Sequence, residues 1–299
     1  MPDHNTHRFL QGKHVVVFGA GYVGGQVARV ALAAGAKVTV LTRNATLAQP
    51  LSAVGCELVL ADLASDDWHP RVPPGDFILN SVSSGGQGLA GYQHSYVDGM
   101  LSILSWSKAV AASPGHLIYT GSTSVYPQGG GQIVDETAPI EASDERSAKL
   151  IETEQLVQRW AGRSTILRLA GIYGPGRHHL VDQLRAGVRQ FPHGGDRHLN
   201  LIHRDDIVAA VLAAWACPTA DLNRIYNVVD HGRFTKKQIV AWTTARMGKS
   251  DITFDGEVVP GRRANRPDRV FSNHRLQREL NWRPAFPTFQ EGYSSILEA

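Results

Sequence analysis

A strand-like run closed by three spaced glycines constrains this chain more than any other feature. His14–Phe18 (HVVVF) reads as a strand buried on both faces. Gly19-Ala20-Gly21-Tyr22-Val23-Gly24 follows it, and Gly21–Ala34 carries helical periodicity. GxGxxG between a strand and a helix is the context in which the motif has a mechanism. Gly19 lets the chain turn sharply, Gly21 lets backbone approach a pyrophosphate with no Cβ in the way, and Gly24 allows close helix–strand packing. The helix start adds free N–H groups and partial positive charge. The segment, with Tyr22 and Val23 inside it, is expected to bind a nicotinamide dinucleotide.

The rest of the chain repeats the alternation. Lys37–Thr42, Cys56–Ala61, Asp76–Val82, His116–Ser122 and Ser164–Ala170 read as strands. Helices are expected over Gly91–Ala112 and Ser143–Trp160, the latter capped by Ser143 or Asp144. The predicted fold class is α/β: a Rossmann-like doubly wound parallel sheet with a smaller C-terminal substrate domain. Residues 8–173 form the expected dinucleotide-binding domain, with 201–232 returning to the sheet, and 174–299 are mostly substrate-binding region. In that second part Asp205–Trp215 reads as a helix and Ile225–Val229 as a strand, while Thr235 caps a helix running to Met247.

Composition excludes several classes. A net charge of +3 over 299 residues gives no electrostatic footprint for nucleic acid. The two cysteines, Cys56 and Cys217, form neither a zinc pattern nor a disulfide framework, so no metal is expected and a reducing cytoplasm is the expected location. The N-terminus is polar, and no stretch approaches the about 18 apolar residues of a membrane span. The expected partner is a small-molecule substrate, with no nucleic acid and no membrane.

The end of the second strand bears on which dinucleotide binds. A carboxylate there would accept the ribose hydroxyls of NAD; the sequence instead reads Thr42-Arg43-Asn44. Arg43 would attract a 2′-phosphate, so NADP(H) is favoured, with NAD(H) as the alternative. Asp62 after the third strand is a candidate for the adenine amino group, or for a turn. Leu63, after the third strand, and Ser81, near the end of the fourth, complete the expected cofactor set.

The order and spacing of VVVFGAGYVGG, HLIYTGSTSVYP, VDETAP, LRLAGIYGPGR, LNLIHRDDIVAAV, YNVVD and RVFSNHRLQRELNWRP resemble the extended or atypical short-chain dehydrogenase/reductases of the NAD(P)-dependent epimerase/dehydratase family. The resemblance implies oxidoreductase chemistry on a sugar-like, often nucleotide-linked substrate. It implies a Tyr and a Lys spaced YxxxK, with a Ser or Thr on the same substrate oxygen. It also implies a possible homodimer through two long helices, here 91–112 and 143–160.

Ser122 falls at the family's Ser/Thr position, with Ser124 as the neighbouring alternative. Lys149 is the Lys of the expected helix, but Glu145 stands four residues before it, where the tyrosine belongs. The family's Asn-Val-x-Gly has become Tyr96-Val97-Asp98-Gly99. A carboxylate, with a reference pKa of about 4.3, is a far weaker base than a phenolate. Three readings stay open. Tyr126, Tyr96 or His203 moves the proton; a weaker or different redox step follows binding; or the protein is a non-catalytic NADP(H)-binding sensor. Tyr126 is the catalytic candidate carried forward with Ser122 and Lys149, although packing under the cofactor is its other role.

On the substrate side, the resemblance places Tyr173 and Arg177 of YGPGR at the nicotinamide–substrate boundary. His203 begins a helix capped by Asp205 or Asp206. Arg262, Arg263, Arg266 and Arg269 cluster in GRRANRPDR, and Arg266-Pro267-Asp268 is similar to a family diphosphate contact, with Pro in place of the usual Gly.

Overall fold

The computed structural model describes residues 7–110, 114–218, 224–256 and 267–298. The chain divides into two compact units that alternate along the sequence. The first takes residues up to 126, with 140–168 and 208–226; the second takes 127–139, 169–207 and everything from 227.

The first unit is built on a seven-stranded parallel sheet. Its strands are β1 (His14–Phe18), β2 (Lys37–Thr42), β3 (Glu57–Leu60), β4 (Phe77–Asn80), β5 (His116–Ser122), β6 (Ser164–Leu169) and β7 (Arg224–Val228). The spatial order is β7-β6-β5-β4-β1-β2-β3. Order reverses beside β1, so the first βα turn opens where a doubly wound sheet binds its ligands. Register is in step across the centre: Val16 pairs with Thr39 on one side and Ile78 on the other. β1, β2 and β6 are buried along almost their whole length, as strands covered on both faces are, whereas the edge strand β3 is largely exposed. Phe18, Trp68 and Trp106 pack against one another in the core, with ring centroids 5.1–5.7 Å apart. Both indole N–H groups donate to buried carbonyls, Trp68 to Leu63 and Trp106 to Val72.

The helices that matter for the site are α1 (Gly24–Ala33), α2 (Ala45–Ser52), α3 (Gly88–Tyr92), α4 (Gly99–Val110) and α5 (Glu145–Val157). Asp144, not Ser143, caps α5. Its carboxylate accepts from the Ser147 N–H at 2.7 Å while Ser147 Oγ accepts from the Asp144 N–H at 2.9 Å. The single helix expected over 91–112 is instead interrupted. Gln93–Asp98 is a π-helical segment joining α3 to α4, and the expected end, residues 111–112, lies outside the described residues. A 3.6-residue pattern does not report such a widened turn.

The second unit has its own core of Leu180, Val181, Leu184, Phe191, Ile239, Val240, Phe289 and Ile296. Neither Asp205 nor Asp206 caps the helix Arg204–Ala216 as expected. His203 Nδ1 accepts from the Asp205 N–H at 3.2 Å. Asp206 accepts from the N–H groups of Ala285 and Phe286, tying down the segment before the last helix. Thr235 does cap Lys236–Arg246, in a box with Gln238.

Candidate functional site: a glycine loop at the end of β1

Gly19 leaves β1 at φ +103°, and its N–H donates to the Leu41 carbonyl at 2.9 Å. A Cβ on Gly19 would lie 2.8 Å from the Ser81 carbonyl oxygen, and one on Gly24 would lie 2.1 Å from that of Gly19. These two glycines are demanded by the chain's own packing. Gly21 is different: a Cβ there would meet nothing within 4 Å. The fold does not need glycine at 21, but a ligand brought against the backbone would. Val23 caps α1 and Gly24 opens it; the Gly25 N–H donates to the Gly21 carbonyl at 2.8 Å and the Gln26 N–H to that of Val23 at 3.0 Å, so the helix start offers a ligand chiefly its partial positive charge. The loop therefore fits a pyrophosphate on its geometry.

The side chains expected to complete the cofactor set lie within the loop and at or just after the ends of β2, β3 and β4. Tyr22 is half-buried, Val23 and Leu63 are buried, and Thr42 Oγ1 accepts from the Asn44 N–H at 3.2 Å. Asn44 caps α2 through the Leu47 N–H at 3.0 Å. Arg43 is thus presented between the end of β2 and the start of α2, half-exposed, with Nη1 3.7 Å from Asp62 Oδ2. Asp62 also accepts from the Ala64 N–H at 3.1 Å and faces His94 Nε2 at 2.8 Å. Burial pushes the Asp62 carboxyl up, but His94, the Ala64 amide and Arg43 together outweigh it and hold it below the ordinary carboxylate value. Ser81 donates its N–H to the Phe18 carbonyl at 2.9 Å, and its Oγ lies 3.2 Å from Thr120 Oγ1.

The catalytic candidates lie in the same unit. Ser122 Oγ ends β5 and donates to Ser124 Oγ at 2.9 Å. Lys149, on the second turn of α5, is half-buried and donates to Glu152 at 2.8 Å. Glu145, at the tyrosine's position, is the exposed first residue of α5. There its charge complements the helix N-terminus. Tyr126 is 1% exposed, and its hydroxyl accepts from Arg168 Nη1 at 2.7 Å. Tyr96 is half-buried, with its ring 5.1 Å from that of Tyr92.

In the second unit, Tyr173 is a core residue. Its hydroxyl donates to the Thr288 carbonyl at 3.4 Å, and its ring meets His203 and Tyr293 edge-on at 5.3 Å. Burial, reinforced by Asp230, raises its phenol above the usual value. His203 is fully buried against Phe286, and burial lowers its pKa to about 4. Arg177 is exposed on a tight turn closed by reciprocal backbone hydrogen bonds with Gly174. Arg262, Arg263 and Arg266 lie outside the described residues. Arg269 donates to the Gln128 carbonyl at 3.1 Å.

Sequence reasoning missed His94, which reaches Asp62 across 32 residues with no motif to announce it. It also missed the glycine run after β4, where Gly85, Gly86 and Gly88 all take positive φ. Three glycines in four positions are a visible signal for such a loop. Among the described residues no cluster of His, Cys, Asp or Glu could hold a metal ion, and no helix is long and apolar enough to cross a membrane.

Comparison with known proteins agrees with this geometry. Protein YeeZ of Escherichia coli K12 is 36% identical over 113 residues, which is 38% of this chain. The match spans only 39% of the length of that relative. UDP-glucuronic acid 4-epimerase from Bacillus cereus, solved with UDP-glucuronic acid and NAD, shares the fold at a TM-score of 0.80 and 17% identity, over 93% of this chain and 96% of that one. A dTDP-glucose 4,6-dehydratase from Streptomyces venezuelae does so at 0.79 and 18%, over 95% and 96%. The model of the NAD dependent epimerase/dehydratase family matches residues 15–228, most of the chain, including the glycine loop, Ser122 and Lys149. The chain belongs to the NAD-dependent epimerase/dehydratase family.

Proposed function

We propose that this protein is an NADP(H)-dependent oxidoreductase of the epimerase/dehydratase type, acting on a nucleotide-sugar-like or small hydroxylated substrate. The single observation that carries the binding half is the open space at Gly21 beside two glycines that packing alone requires. Gly19, Gly21, Gly24 and the start of α1 would hold the pyrophosphate, and Asp62 would face the adenine amino group. Arg43, with no carboxylate at the end of β2, supports the 2′-phosphate and so NADP(H) over NAD(H). When bound, the dinucleotide supplies two-electron oxidoreduction at a carbon bearing a hydroxyl.

The chain's own residues would do the remaining work. Ser122 would hydrogen-bond the reacting oxygen of the substrate, and Lys149 would place positive charge beside it. The proton is the weak point, because Glu145 offers a carboxylate where the family offers a phenol. A second reading, NADP(H) binding without turnover, is favoured by one observation: the Tyr126 hydroxyl is buried and already engaged by Arg168.

The two readings separate in one experiment. Protein incubated with NADP⁺ and a panel of nucleotide sugars and small polyols is followed at the reduced-nicotinamide absorbance band and by product analysis, because a redox-neutral epimerisation or dehydration leaves no net reduced cofactor. Oxidoreduction predicts turnover on a panel member that Ser122→Ala and Lys149→Met both abolish. Tight NADPH binding with silence across the panel supports the second reading.

A further inference from the structure

Asp62 lies between two basic side chains and is bound unequally by them. Its Oδ2 and Oδ1 are 2.8 and 3.0 Å from His94 Nε2, within hydrogen-bond range. Arg43 Nη1 stops at 3.7 Å, close enough for an ion pair but too far for a hydrogen bond. A carboxylate accepts and does not donate, so Nε2 of His94 carries the proton in this contact. The Ala64 N–H occupies Oδ1 as well, at 3.1 Å. Arg43 is bounded elsewhere by Gly85, where a Cβ would lie 3.6 Å from Nη2. Among the described residues no other carboxylate pairs with Arg43.

We infer that His94 is a positioning residue for cofactor selectivity: by occupying Asp62, it keeps the Arg43 guanidinium available to the 2′-phosphate of NADP(H). This rests on the NADP(H) reading above. Arginine and carboxylate close naturally into a two-pronged pair. Arg43 and Asp62 are both half-exposed, so a small side-chain rotation brings them together once His94 is gone. The 2′-phosphate would then compete with a carboxylate for the same guanidinium. NADH carries no 2′-phosphate and is indifferent to the capture of Arg43. His94 is delivered to Asp62 by the π-helical segment Gln93–Asp98, and such segments recur at functional sites.

The test is fluorescence titration with NADPH and with NADH of wild type, His94→Ala, His94→Gln and the double variant His94→Ala/Asp62→Asn. The quantity read is the ratio of the two affinities, so a general loss at the adenine end cancels. The inference predicts that His94→Ala lowers the NADPH preference about fivefold or more while NADH affinity, which reports an intact fold, is held. His94→Gln, which keeps an N–H donor, retains most of the preference. The double variant, with no carboxylate left to capture Arg43, recovers it. A wild-type ratio in His94→Ala, or no recovery in the double variant, overturns the role of His94 alone. Wild type that binds both cofactors equally, or neither, overturns the NADP(H) reading and this role with it, and is seen before any variant is made.

Discussion

Arg168 and Glu154 meet in a two-pronged ion pair at 2.9 and 2.6 Å, with both side chains 3% exposed. The remaining guanidinium nitrogen donates to the Tyr126 hydroxyl at 2.7 Å. Strand β6, helix α5 and the loop after β5 are thus joined by one buried polar cluster. A Cβ on Gly121, the residue before Ser122, would lie 3.4 Å from Glu154 Oε1.

Removing one partner strands the other as a buried charge. Glu154→Ala is expected to destabilise the protein by about 3–5 kcal/mol in denaturant unfolding. Glu154→Leu combined with Arg168→Met removes both charges and is expected to cost clearly less than the sum of the single changes. A single-variant cost below about 1 kcal/mol would show that the pair is solvated.

The glycines of the loop separate folding from binding. Gly24→Ala places a Cβ 2.1 Å from the Gly19 oxygen and is expected to cost about 1–3 kcal/mol of stability. Gly21→Ala meets open space, so stability should stay within about 0.5 kcal/mol. Its dinucleotide affinity should nevertheless fall at least about tenfold, because the methyl group occupies ligand space. Unchanged affinity in Gly21→Ala would remove the pyrophosphate from this loop.

Acid should destabilise the protein through His116. Burial first, and Arg163 second, lower its pKa from 6.5 to about 3. Its Nε2 is hydrogen-bonded to Thr165 at 2.9 Å. A depressed histidine pKa means that the unfolded chain binds the proton more readily. Stability from this group is therefore complete above about pH 6.5 and is lost as pH falls toward 3, at about 1.4 kcal/mol per pH unit. Unfolding free energies between pH 7 and 4.5 should fall more steeply in wild type than in His116→Gln. Equal slopes would mean that the imidazole is not the group responsible.

Much of the frame was legible because its signals are local. HVVVF, KVTVLT and HLIYTGS match β1, β2 and β5 residue for residue, since a strand buried on both faces is a short apolar run. The caps at Asp144 and Thr235 were legible for the same reason. What escaped depends on contacts between residues far apart in the chain. His94 meets Asp62, and Arg168 meets Tyr126, at separations that no periodicity encodes. The π segment escaped because one widened turn within a helical stretch leaves no local mark in the sequence. Glu145 was visible at once as a departure from YxxxK; the structure adds that it sits exposed on the first turn of α5.

The most direct measurement is equilibrium titration of wild type and Arg43→Ala with NADPH and with NADH. The account predicts that wild type binds NADPH more tightly than NADH. It further predicts that Arg43→Ala loses about tenfold for NADPH while NADH binding is unchanged. Equal affinity of wild type for the two would contradict the assignment of Arg43, and binding of neither would contradict the site itself.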